Sequence, residues 1–154
     1  DWRRGVVFIK EIVPKGMIAF VAKTVYNEQY ASMPMRSVVE LPGRVRYGWY
    51  HDGRWNKLLA TVSGESFVPP DDAEETFIME HYWGYTRQRD GGTMEYEVAH
   101  PRWRVWRCDT SELVCDVAKM YGPEFVPVLA GPPSSAFVAE GSAVNVHRGQ
   151  RLKV

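Results

Sequence analysis

The 154-residue chain reads as an α+β protein built on a mainly antiparallel β-sheet, curled as a partly open barrel, with a few short helices. Three observations carry that expectation. Runs rich in β-branched and aromatic residues outnumber stretches with helical spacing. Two turn signals, Asp52-Gly53 and Asp90-Gly91-Gly92, each separate a pair of such runs, the pattern of a hairpin. Aromatic residues make up 13% of the chain, and rings fill β-rich cores or line apolar pockets.

In chain order, residues 5–13 form a nearly continuous apolar strand closed by Pro14. Residues 17–26 carry Ile18, Val21, Ala22 and Val25 on one helical stripe, which predicts a helix. Residues 31–35 form a loop around Pro34. Residues 43–64 form the first hairpin, with Arg44 and Arg46 on a solvated face. After the Pro69-Pro70 break, Asp71 or Asp72 can cap a short helix. Glu74 and Glu75 suit its positive end, and Phe77, Ile78 and Tyr82 would face the core.

Residues 85–99 form the second hairpin. Met94, Tyr96 and Val98 take one face, and Glu95 and Glu97 the other. Residues 103–108 form a strand. Thr110-Ser111-Glu112 would cap a helix through Tyr121, with Leu113, Val117 and Met120 inward. Residues 126–129 make a short Pro-flanked element. Residues 136–146 form a last strand kinked at Gly141-Ser142, and residues 148–153 a basic tail.

The length suits one domain spanning residues 1–154. The apolar fraction, 45%, is enough for a packed core. Lys plus Arg equals Asp plus Glu, 19 against 19, which argues against a general polyanion binder. Cys108 and Cys115 match no metal spacing, and they read as reduced thiols in a cytoplasmic protein. His51, His81, His100 and His147 form no HxH or HExxH pattern, so no metal is expected. No GxSxG, GxGxxG or P-loop occurs, and no cofactor is expected. No apolar run approaches the roughly 20 residues of a membrane span. The first residue is Asp1, which suggests an N-terminally trimmed chain.

Reactive groups are densest in Glu80-His81-Tyr82-Trp83-Gly84-Tyr85-Thr86-Arg87. That stretch and His100-Pro101-Arg102-Trp103 resemble the YqjF-like family of uncharacterised bacterial proteins, grouped in the acetoacetate decarboxylase-like superfamily. The resemblance extends to residues 4–14 and 135–142 and so covers most of the chain. It implies the decarboxylase-like fold and a ligand pocket. Decarboxylases of that superfamily carry a Trp-Gly-Tyr/Phe-Pro-Lys-Lys type motif, one lysine of which forms a Schiff base. Here Trp83-Gly84-Tyr85 fits, but Thr86-Arg87-Gln88 follows, with no lysine between Lys57 and Lys119. A guanidinium stays protonated and is no amine nucleophile. Lys10, Lys23 or Lys119 could supply an amine, but nothing in the sequence marks them.

The candidates for chemistry each have a structural alternative. Glu80 and His81 could carry a proton, or Glu80 could pair with Arg or cap backbone. Arg87 could clamp a carboxylate, or pair across the hairpin with Glu95 or Glu97. Trp83, Tyr85, His100 and Trp103 could line the pocket or pack the core. Glu11 could point into a barrel mouth or into solvent. The expected function is binding, turnover or sensing of a small organic acid or ketone, with an anionic ligand expected and no Schiff-base chemistry. The competing reading is a noncatalytic binding or homo-oligomerisation module with a filled core. Single-stranded nucleic acid, through Arg102, Arg104, Arg107, Trp103 and Trp106, is disfavoured by the zero net charge.

Overall fold

The computed structural model describes residues 3–14, 30–88 and 90–152. The helix expected over residues 17–26 lies outside them. Over the described residues the fold is mostly β, with a curled antiparallel half-barrel sheet and three short helices. The chain divides into two compact units. No described helix is long and apolar enough to cross a membrane.

One unit comprises Asp1–Ser32, Val68–Trp103 and Gly141–Val154. The first expected strand is two strands here, β1 (Gly5–Val7) and β2 (Glu11–Val13). They part because they join different partners. β1 runs parallel to β7 (Trp83–Arg87), while β2 runs parallel to β3 (Tyr30–Ser32). β7 pairs antiparallel with β8 (Thr93–Ala99), closing the expected second hairpin. The far side of β8 takes β11 (Asn145–Val146) and β12 (Gln150–Arg151). The basic tail is therefore partly a strand, and Arg151 pairs with Asp90 at 2.6 Å.

The faces of the β7–β8 hairpin follow the two-residue period. Gly84, Thr86 and Tyr96 are buried on one side. Gly84 permits this, because a Cβ there would sit 2.5 Å from Cζ of Tyr96. The Tyr96 ring also stacks on Phe8, with centroids 5.9 Å apart.

Helix α1 (Glu74–Met79) leads into β7. Its cap differs from expectation. Ala73 holds the N-cap position, and no side chain bonds there. Its burial differs too. Glu75, Thr76 and Met79 are buried, whereas Phe77 and Ile78 are exposed, at 64% and 42%. Thr76 decides the rotation: its hydroxyl donates to the Pro70 carbonyl at 2.7 Å, which anchors the polar side inward. Phe77 instead lies under the Arg4 guanidinium, 4.6 Å from the ring centroid.

The other unit comprises Met33–Phe67 and Arg104–Glu140. Its five-stranded antiparallel sheet runs β10-β9-β6-β5-β4. The strands are β4 (Met35–Glu40), β5 (Gly43–His51), β6 (Arg54–Val62), β9 (Val105–Val114) and β10 (Phe137–Ala139). β5 and β6 form the expected hairpin, turning through Asp52 and Gly53 at positive φ. Arg44 is exposed as expected, but Arg46 is half-buried.

The helix expected from Thr110 is replaced by strand. Thr110–Val114 continue β9 because they pair with residues 57–61 of β6. Leu113 is consequently opposite Leu58 and 37% exposed. Helix α2 (Val117–Tyr121) starts only after Asp116, whose carboxylate caps the Lys119 N–H. Val117 and Met120 are buried as expected. A 3-10 turn (Pro123–Phe125) and helix α3 (Val126–Leu129) follow. The expected strand over residues 136–146 is split between β10 and β11, with Gly141 at φ 72° between them.

The close approach of Tyr96 predicts a specific coupling. Gly84→Ala should cost about 1–3 kcal/mol through overpacking, read as a lower urea midpoint at unchanged slope. In a Tyr96→Ala background the same change should cost clearly less. An equal loss in both backgrounds would show that the ring is not the obstacle.

Candidate functional site

The site grows from the junction of α1 and β7. The helix ends with the Glu80 N–H bonded to the Thr76 carbonyl at 2.9 Å, and the His81 N–H bonds the Met79 carbonyl at 2.9 Å. The Tyr82 carbonyl then accepts from Val98 at 2.9 Å, which starts the β7–β8 ladder. Three consecutive residues are thus fixed by backbone bonds at one end of the sheet.

β8 ends at Ala99, so His100 emerges beside Tyr82. The His100 ring lies between two others: Trp103 at 4.2 Å and 18°, and Tyr82 at 5.0 Å. Trp103 is steadied by its indole N–H, which donates to the Ser142 hydroxyl at 2.9 Å. The Pro101 carbonyl lies 2.9 Å from Nδ1 of His100. A carbonyl can only accept, so the neutral ring keeps its proton on Nδ1. Nε2 is left as an acceptor, with no hydrogen-bond partner among the described residues.

The Tyr82 hydroxyl donates to the Glu80 carboxylate. That bond, together with burial, raises the phenol above its usual pKa, so Tyr82 keeps its proton and remains a donor. Arg4, one residue ahead of β1, donates to the Glu80 carbonyl at 2.8 Å. His81 is half-buried within this group, and its pKa is lowered from the usual 6.5. Burial is the main cause; a hydrogen bond to the Ile78 carbonyl and the Glu80 charge oppose it, while His100 and Arg4 add to it. Arg4, Glu80, His81, Tyr82, His100 and Trp103 therefore form one cluster.

Other candidates lie elsewhere. Trp83 and Tyr85 share the opposite face of β7 from Gly84. Arg3 lies 4.1 Å over the Trp83 ring and bonds Glu95 at 2.9 Å, and the Tyr85 hydroxyl donates to Glu95 at 2.8 Å. Burial and that carboxylate raise the Tyr85 pKa. Arg87 is on this same face, at the far end of the strand. Four steps beyond Trp83, it is roughly 13 Å further along. It is exposed, and among the described residues it bonds neither Glu95 nor Glu97. Glu11 is half-buried in β2, on the separate two-stranded sheet. The structure thus joins Glu80, His81, His100 and Trp103, and leaves Arg87 and Glu11 outside that group.

A family model described as DUF2071, an uncharacterized conserved protein (COG2071), matches residues 1–143. The chain belongs to this family. The DUF2071 match includes every residue of the cluster. No curated protein and no solved structure shows significant similarity to the chain.

Arg102, Arg104 and Arg107, weighed for nucleic acid, make contacts within the fold. Arg102 bonds Asp71 at 2.7 Å and the Pro69 carbonyl at 2.8 Å. Arg104 donates to the Ser66 hydroxyl at 2.9 Å, and Arg107 lies 5.1 Å over Phe67. Cys108 and Cys115 form no disulfide among the described residues. Sequence reasoning missed Arg4 as a site residue. The only signal was a basic pair directly ahead of an apolar strand.

The lowered His81 pKa fixes the sign of a pH effect. Below its ordinary value of 6.5 the unfolded chain binds the proton more readily than the native one. His81 therefore contributes stability in full above that value, and the contribution is lost as pH falls through the folded pKa. Urea midpoints between about pH 5 and 8 should decline on the acid side, and His81→Gln should flatten that decline. An unchanged slope in the variant would contradict the assignment.

Proposed function

We propose that the protein binds a small organic acid at the Arg4–Glu80–His81–Tyr82–His100–Trp103 cluster. The observation that carries the reading is His81, half-buried among a guanidinium, a second imidazole and a carboxylate–phenol pair. Arg4 supplies a fixed cation for a carboxylate, since only part of its guanidinium is spent on the Glu80 carbonyl. His100 offers an unengaged Nε2, and Trp103 a flat apolar wall beside it. The Tyr82 hydroxyl spends its proton on Glu80, so its oxygen can accept a hydrogen bond from a hydroxyl of the ligand.

The acetoacetate decarboxylase-like resemblance agrees with an acid or ketone as ligand, but neither Lys57 nor Lys119 is placed to supply its Schiff-base amine. Lys57 pairs with Glu112 at 3.1 Å. Lys119 pairs with Asp52, which raises its pKa and keeps it an ammonium. That is the reverse of what an amine nucleophile needs. Lys23 lies outside the described residues. The chemistry proposed is recognition, with proton exchange available and no covalent intermediate.

Calorimetric titration with short keto and hydroxy acids at low salt, against their methyl esters, tests this reading. Acids should bind and esters should not. Arg4→Gln should weaken binding about tenfold or more, while Arg87→Gln should leave it unchanged. The reverse pattern would move the anchor to the far end of β7, and no binding by any acid would end the proposal. Borohydride with the same keto acids should trap nothing. A covalent adduct would restore Schiff-base chemistry.

A further inference from the structure

The two edges of the β10-β9-β6-β5-β4 sheet are unlike. One ends on β10, only three residues long. Among the described residues the other ends on β4, six residues in unbroken register with β5 from Met35↔Trp49 to Glu40↔Arg44. Short strands, bulges and prolines blunt an edge by geometry, and charged side chains blunt it by repelling like neighbours, which the opposite charges of Arg36 and Glu40 need not do. β4 has no bulge or proline within its length; Pro34 and Pro42 lie just outside it. Arg36 through Glu40 are all exposed, with Val39 at 54%.

The backbone phase of β4 is known. Tyr50 donates to the Pro34 carbonyl at 2.9 Å, so the even-numbered residues face β5. Met35, Ser37 and Val39 therefore turn their N–H and C=O groups to the open side. A second antiparallel strand must match these odd positions with odd positions.

We propose that this edge pairs with the same edge of a second copy of the chain, about a two-fold axis at Val38. In that register Ser37 meets the partner's Val39 through backbone hydrogen bonds, and Val38 meets itself. Arg36 then faces the partner's Glu40 twice, once on each side of the axis. The neighbouring allowed registers, two residues away, set Arg36 against Val38 or Pro42 and lose both charge pairs. The sequence Met35-Arg36-Ser37-Val38-Val39-Glu40 is thus complementary to itself in one alignment. The apolar row Tyr47, Leu58 and Leu113, exposed on the Ser37 and Val39 face, is lengthened across the axis by the partner's Val39.

Sedimentation of the full chain across micromolar to millimolar concentration tests this interface. A reversible monomer–dimer equilibrium is expected. Val39→Pro removes an outward N–H and no bond to β5, so it should abolish the dimer while circular dichroism stays unchanged. Arg36→Glu and Glu40→Arg should each weaken association about tenfold or more, and the double swap should restore it. A monomer at every concentration, or a dimer that Val39→Pro leaves intact, would overturn the proposal. A dimer broken by Val39→Pro but not restored by the double swap would overturn the Val38 register.

Discussion

The ring of Tyr96 occupies the space a side chain at position 84 would need, and much of the first unit follows from that contact. A residue without Cβ lets β7 and β8 carry a large ring flat against the strand. Phe8 extends the layer by stacking on Tyr96. The parallel pairing of β1 with β7 sets Gly5 opposite Trp83, which brings Arg4 to the start of the same strand. Packing on one side of the sheet thereby places a cation where Glu80, His81 and Tyr82 leave the helix.

At that end of β7, each polar group sets its neighbour's state. The Glu80 carboxylate holds the Tyr82 proton, and the Tyr82 ring flanks His100. The Pro101 carbonyl keeps the His100 proton on Nδ1 and leaves Nε2 open. Burial favours neutral His81, while an incoming carboxylate would favour its protonated form. The other face of β7 spends its charges internally, with Arg3, Glu95 and Tyr85 satisfying one another. Of the two faces and two ends, the helix-side end has polar capacity to spare, together with exposed Arg87 at the opposite end.

Hairpins were the most legible feature of the sequence. Asp52-Gly53 and Asp90-Gly91-Gly92 mark turns by local backbone preference, and the alternation of Met94 to Val98 names the buried face without any distant contact. Local signals failed where long-range pairing decided. Residues 110–114 have a helical cap pattern, yet β6 offers five consecutive partners and holds them as strand. Phe77 looks like a core residue, yet the Thr76 hydroxyl turns α1 the other way and a guanidinium covers the ring. Within the site, Glu80, His81, His100 and Trp103 were readable by residue type. Arg4 was not, because only the parallel β1–β7 pairing makes it a neighbour. Arg87 looked equivalent to the others in sequence, but extended strand geometry carries it away from them.

The central claim is that the two imidazoles and Arg4 form one anion-responsive site. Long-range proton–nitrogen spectra of the histidine rings, recorded through a pH titration with and without a short carboxylate, test it most directly. The account predicts that the His81 pKa rises when the acid is present, that the His100 Nε2 resonance moves with it, and that Arg4→Gln removes both effects. Acid binding that leaves both rings unmoved, or shifts that persist in Arg4→Gln, would contradict it.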